Sequence, residues 1–252
     1  MLGGAVSLAL LSAVAIPSKT SYAAGTDTIQ SMVSVSQTAD DSQDFISAAS
    51  FNSTNNLPVS PSKYTHAAQF KGAKIQKGID VSQWNGPINW KKVKASGVEY
   101  ALIRVGYRGY AGGTIASTGD SKFKTYIKGA KAAGLKVGVY FFSQAINVQE
   151  AEEEAVWTLN RIKGYQLDLP VVIDYEYAGT TDKNGNSLER LNNANLSKSQ
   201  KTACVDAFCK KVKTAGYQAM VYSSSSWLEK DMDTDTLSKN YGVWMARYNT
   251  HS

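Results

Sequence analysis

Val171-Val172-Ile173-Asp174-Tyr175-Glu176-Tyr177 begins as a buried strand and ends in two carboxylates. Three β-branched apolar residues in succession suit a strand covered on both faces, as in a parallel sheet packed between helices. Asp174 and Glu176 stand at i and i+2, so on a strand they share a face. Their Cα atoms would lie roughly 6.6 Å apart, at about 3.3 Å rise per residue. Two like charges entering one cavity push a pKa upward. A carboxylic acid kept protonated near neutrality can donate to a leaving oxygen while an ionised neighbour stabilises positive charge at a sugar. Glycosidic cleavage needs that division of labour.

The texture of this run recurs along the chain. Strands are expected over 78–82 (GIDVS), 100–107 (YALIRVGY), 136–143 (KVGVYFFS), 170–176 (PVVIDYE), 218–223 (QAMVYS) and 242–248 (GVWMARY). Helical patterns separate them at 90–95, 121–133, 148–162 and 197–215. Asn147 is placed to cap the third helix, and Glu150, Glu152 and Glu153 sit near its N-terminus, where the helix dipole favours negative charge. Gly97, Gly134 and Gly216 follow helices at the usual C-terminal glycine position. Alternating strands and helices imply an α/β fold with a parallel sheet. No Gly-x-Gly-x-x-Gly follows the first strand, so dinucleotide binding has no support. Asp80, Arg104, Ser143, Asp174, Glu176, Ser223 and Arg247 all fall within strands or at their C-terminal ends. That placement favours a TIM-like (β/α) barrel, whose active site is built on that edge.

The acids have aromatic company. Asp80 ends the first strand and adds a third carboxylate to the same mouth. Trp84, Tyr107, Tyr140, Phe142, Tyr222 and Trp244 lie on or just after the same strands. Sugars present apolar ring faces that stack on such side chains, so an acid-lined, aromatic-walled cleft suits an oligosaccharide. Other catalytic schemes lack their parts. The two histidines, His66 and His251, lie outside the strand–helix region, which leaves a Ser-His-Asp or Cys-His mechanism without a base. Neither Gly-x-Ser-x-Gly, a phosphate-binding loop nor His-Glu-x-x-His occurs, so no nucleotide is expected. Cys204 and Cys209 are five apart on a helical pattern and point to different faces. No Cys/His cluster suggests zinc, and neither a metal nor another cofactor is expected.

The chain of 252 residues carries a net charge of +6, which attracts polyanions. No Lys/Arg cluster interleaved with aromatics suggests nucleic acid; anionic cell-wall polymer is the other candidate. Leu8 to Ile16 is an apolar run followed by Ser21-Tyr22-Ala23, a small-x-small pattern read as a signal peptide over 1–23. Residues 24–72 are rich in Ser, Thr and Asn without hydrophobic period and read as a disordered linker. Residues 73–252 form the barrel domain.

Five stretches, in order and each at an expected strand end, resemble glycoside hydrolase family 25, the Chalaropsis-type lysozymes. They are Gly78-Ile79-Asp80-Val81-Ser82-Gln83-Trp84-Asn85-Gly86, Ile103-Arg104-Val105-Gly106-Tyr107-Arg108-Gly109, Gly138-Val139-Tyr140-Phe141-Phe142-Ser143, Ile173-Asp174-Tyr175-Glu176 and Trp244-Met245-Ala246-Arg247-Tyr248. The resemblance implies a (β/α) barrel with irregular later strands. It also implies cleavage of the β-1,4 bond between N-acetylmuramic acid and N-acetylglucosamine in peptidoglycan glycan strands, outside the cell or in the wall. By the same resemblance Glu176 is the general acid, Asp174 assists the substrate N-acetyl group or acts as its electrostatic partner, and Asp80 lines the subsite and tunes the pair. Arg104, Tyr107, Tyr140, Phe142, Tyr222 and Trp244 would bind substrate. A chitinase-like enzyme is disfavoured because the ladder Asp-x-x-Asp-x-Asp-x-Glu is missing upstream of Glu176. A non-catalytic wall-binding homologue is the remaining alternative. The family barrel has eight strands and six are read here, so the resemblance implies an incomplete barrel, truncated at the C-terminus.

Overall fold

A computed structural model describes residues 11–16, 32–33, 74–179 and 181–246. Most of the expected signal peptide and linker, and Arg247 and Tyr248 of the last expected strand, lie outside the described residues. Six parallel strands form a curled half-barrel. They are β3 (Lys74–Val81), β4 (Tyr100–Tyr107), β5 (Lys136–Ser143), β6 (Val171–Tyr175), β7 (Ala219–Ser224) and β8 (Gly242–Ala246), each paired with the next. At the outer edges β1 (Leu11–Ile16) runs antiparallel to β3, and β2 (Met32–Val33) runs parallel to β8. β3 starts four residues earlier than its apolar pattern. Its extension, Lys74-Ile75-Gln76-Lys77, pairs with β1 only, so nothing in its own composition marks it as strand.

Helices α1 (Trp90–Ala95), α2 (Phe123–Ala132), α3 (Val148–Ile162) and α5 (Lys198–Thr214) stand where the sequence places them. The Asn147 side chain accepts a hydrogen bond from Glu150 N–H at 2.9 Å and starts α3. Ser197 and Gln200 form a reciprocal cap on α5. Gly97, Gly134 and Gly216 follow their helices at φ of 87°, 74° and 87°, a region that costs a side chain steric energy. Two short helices, α4 (Arg190–Asn193) and α6 (Thr234–Ser238), and a π-helical turn at Trp227–Asp231 were not expected. None is long enough to show a hydrophobic period.

Two cores result. The larger lies between the sheet's outer face and the helices, and includes Val105, Phe141, Ala151, Ile173, Phe208 and Val221. Cys204 and Cys209 are both free thiols buried there. The smaller fills the concave face with Tyr100, Leu102, Val172, Met220 and Trp244. Gly78 exists to admit one of these rings: a Cβ there would fall 1.9 Å from Tyr100.

Candidate active site

Register assigns the concave face. Arg104 pairs with Tyr140, and Tyr140 with Val172. One layer nearer the strand ends, Tyr107 pairs with Phe142, Phe142 with Asp174, Asp174 with Tyr222, and Tyr222 with Trp244. Paired residues of adjacent strands point to the same side, so these five side chains form one row around the mouth. A register shift between Arg104 and Gly106 makes this possible. Without that extra residue Arg104 and Tyr107, an odd number apart, would face opposite sides. Arg104 instead lies over the Tyr107 ring at 5.2 Å, and Tyr222 meets Trp244 edge to face at 4.5 Å.

The acids converge on this row. Asp174 is 7% exposed, and among the described residues its Oδ1 has no hydrogen-bond partner. Burial holds its carboxyl well above the usual range, the charges of Glu176 and Asp80 raise it further, and Arg104 opposes them. Glu176 follows the last residue of β6; burial first, then Asp80 and Glu189, push it up to about 7. Burial pushes Asp80 up to about 7 as well. Tyr140 feels Arg104, Asp80 and Asp174, so it shares the cavity. The sequence-level picture of one raised acid beside one ionised partner therefore broadens to three raised acids. Burial is the largest cause for each, and interacting groups of this kind titrate as a unit.

Further residues fix the site, and sequence reasoning missed most of them. Asp120 is buried; its Oδ2 accepts from Arg104 Nε at 2.9 Å and from Gln83 N–H at 2.9 Å. It thereby ties β4 to the 3-10 turn Gln83–Asn85 that carries Trp84. Gln144, fully buried just after β5, donates through Nε2 to the Glu176 carbonyl at 2.9 Å. Arg190 binds the Gln144 carbonyl at 2.8 Å and both carboxylate oxygens of Glu150 at 2.6 and 2.8 Å. Glu154 takes hydrogen bonds from Ser143 Oγ and from Arg108 Nε. Glu189 accepts from Ala178 N–H at 2.6 Å and brings a fourth acid near Glu176. Three of these groups, Asp120, Gln144 and Glu189, lie in loops without a period to read. A separate hollow of about 460 Å³, lined by Pro87, Ile88, Trp90 and Gly129 among others, includes none of the acids.

The model of the glycosyl hydrolases family 25 matches residues 79–252. The chain belongs to this family. The family 25 domain is 28% identical over 172 residues to the autolytic lysozyme of Clostridium acetobutylicum, covering 68% of this chain and 45% of that protein. It is 33% identical over 104 residues to lysozyme M1 of Streptomyces globisporus, covering 40% of this chain and 33% of that one. The chain thus spans less than half the length of either relative. Among solved structures it is similar to the modular autolysin LytC of Streptococcus pneumoniae in complex with a synthetic peptidoglycan ligand. That match has 28% identity and a TM-score of 0.57, over 70% of this chain and 38% of LytC. The six-stranded family 25 half-barrel carries the expected acids on its C-terminal edge, Asp80 in β3, Asp174 in β6 and Glu176 just after β6.

Proposed function

We propose that this chain is a secreted peptidoglycan hydrolase that cleaves the β-1,4 bond between N-acetylmuramic acid and N-acetylglucosamine. The observation that carries the reading is the cluster of Asp80, Asp174 and Glu176. Three acids with raised pKa values, Asp174 buried and Asp80 and Glu176 half-buried, share one aromatic-rimmed mouth. Family membership and the similarity to named lysozymes support the same reading.

Glu176, protonated near neutrality, donates to the glycosidic oxygen as the bond to the leaving sugar breaks; water then adds to the anomeric carbon and returns a proton to the Glu176 carboxylate. Asp174 faces the reacting sugar with a carboxyl oxygen free to accept from the N-acetyl N–H, and orients that group. Asp80 keeps both protons in place by charge. Arg104, held by Asp120, limits how far Asp174 is raised. Tyr107, Tyr140, Phe142 and Tyr222 supply ring faces and hydroxyls along the glycan, and Trp244, 5% exposed, packs behind Tyr222 to hold it there. Residues 1–23 act as the export signal and 24–72 as a tether. The net charge of +6 draws the protein to anionic wall polymers.

Purified peptidoglycan incubated with the protein should release new reducing ends on muramic acid. Glu176→Gln should lower that rate by about 10²- to 10⁴-fold, the span assigned to general acid catalysis. Undiminished release by Glu176→Gln, or reducing ends on N-acetylglucosamine, would overturn the assignment. Wall binding by the wild type without any release would favour a non-catalytic wall-binding protein.

A further inference from the structure

Among the described residues the large aromatic side chains that stay exposed are Trp84, Tyr110 and Tyr177, at 58%, 41% and 40%. All three lie on loops that leave the C-terminal ends of parallel strands, β3, β4 and β6. Chance does not favour one edge of the barrel in this way. That edge holds the acids, and Tyr177 is the residue after Glu176.

Tyr177 is also braced. Its ring meets Trp227 edge to face at 4.4 Å. The Lys201 ammonium lies 5.6 Å from the Tyr177 ring centroid and 4.6 Å from that of Trp227. Lys201 is itself almost wholly buried and paired with Asp231 at 2.6 Å. An exposed tyrosine held by a buried tryptophan and an ion-paired lysine loses little freedom when a ligand settles on it. Trp227 and Lys201 together leave the residue 40% exposed, so part of the ring stays open to solvent. The main chain on either side of Tyr177 is pinned as well: Gln144 holds the Glu176 carbonyl, and Glu189 holds the Ala178 N–H. The next residue, Arg190, donates its backbone N–H to the Tyr110 carbonyl at 2.8 Å, so the two tyrosine loops are linked through Glu189–Arg190.

We propose that Tyr177, on its Trp227–Lys201 brace, is an outer stacking platform for a pyranose ring beyond the two sugars on each side of the cleaved bond. The proposal rests on the glycan-hydrolase reading and extends it. The chain would engage long glycan strands more tightly than short ones, through a ring that takes no part in the chemistry.

The test compares a defined tetrasaccharide with an octasaccharide of alternating N-acetylglucosamine and N-acetylmuramic acid. Wild-type protein should show a lower KM for the octasaccharide. Tyr177→Ala should raise that KM by about tenfold, the factor set by one ring contact of about 1.4 kcal/mol. The same variant should leave kcat, and both constants for the tetrasaccharide, within twofold. Tyr177→Phe should behave as wild type. Tyr177→Leu keeps bulk against Trp227 without a flat face, so it should repeat the alanine result even if Tyr177→Ala folds poorly. Equal losses on both substrates, or no loss on either, would overturn the platform. If the wild type cleaves neither substrate, the hydrolase reading fails instead. Calorimetric binding of the octasaccharide, weakened about tenfold in Tyr177→Leu, would then still support the platform, and unchanged binding would overturn it.

Discussion

Asp80 acts on both of its acidic neighbours. Glu176 is raised chiefly by burial and then by the Asp80 charge, and Asp174 by burial, Glu176 and Asp80. In the proposed role of general acid, Glu176, pushed up to about 7, works while protonated, so activity should fall as pH rises through about 7. Asp80→Asn removes a negative charge that opposes Glu176 ionisation. Glu176 then gives up its proton more readily, and the alkaline limb of the kcat/KM profile should move to lower pH. A profile measured from acid to alkaline pH checks this; an unmoved limb would show that Asp80 does not sense the acid. These three acids were legible in the sequence because strand period alone places i and i+2 on one face and strand ends at one mouth. Gln144 and Glu189 were not. What they hold, the Glu176 carbonyl and the Ala178 N–H, becomes apparent only when chain segments 11 to 32 residues apart meet.

β4 shows how one element sets the site. Its register shift between Arg104 and Gly106 returns both Arg104 and Tyr107 to the concave face. Gly106 turns outward against α3, where a Cβ would fall 2.4 Å from the Trp157 ring. Trp157 cannot give way freely, since it packs on Phe141 at 5.8 Å and lies under the Arg161 guanidinium. Gly106→Ala should therefore push β4 from α3 and cost about 1–3 kcal/mol, the usual penalty for overpacking a filled core. A lower urea midpoint with an unchanged slope checks the stability, and a reduced kcat/KM would report the displaced Arg104 and Tyr107. The strand was legible from YALIRVGY, and the start of α3 from Asn147. The shift was not, because Val105 and Gly106 are both compatible with an unbroken apolar run. What decides the matter is the fit of Gly106 under Trp157.

Over the whole molecule the same burial that raises the acids of the mouth opposes folding. Asp80, Glu154 and Glu176 are each pushed up to about 7, with burial the largest cause in every case. In the unfolded chain they titrate near about 4. Between those values the folded protein binds more protons than the unfolded one, so stability falls as pH rises. The stabilising protonation is complete below about 4 and is lost by the time pH has passed through about 7. Glu150, Asp182 and Asp233 are shifted the other way, and their contribution is lost only at pH below the ordinary carboxylate range. They do not obscure the window between pH 5 and 8. The urea midpoint should decline from pH 5 to pH 8, and Glu176→Gln, which keeps a neutral side chain at every pH, should flatten that decline. At pH 8 the variant should be more stable than wild type by roughly 1–3 kcal/mol, and at pH 5 by little. Equal stability of the two proteins at pH 8 would mean that Glu176 ionises at no cost in the folded state, and the strain attributed to its burial in the mouth would have no support.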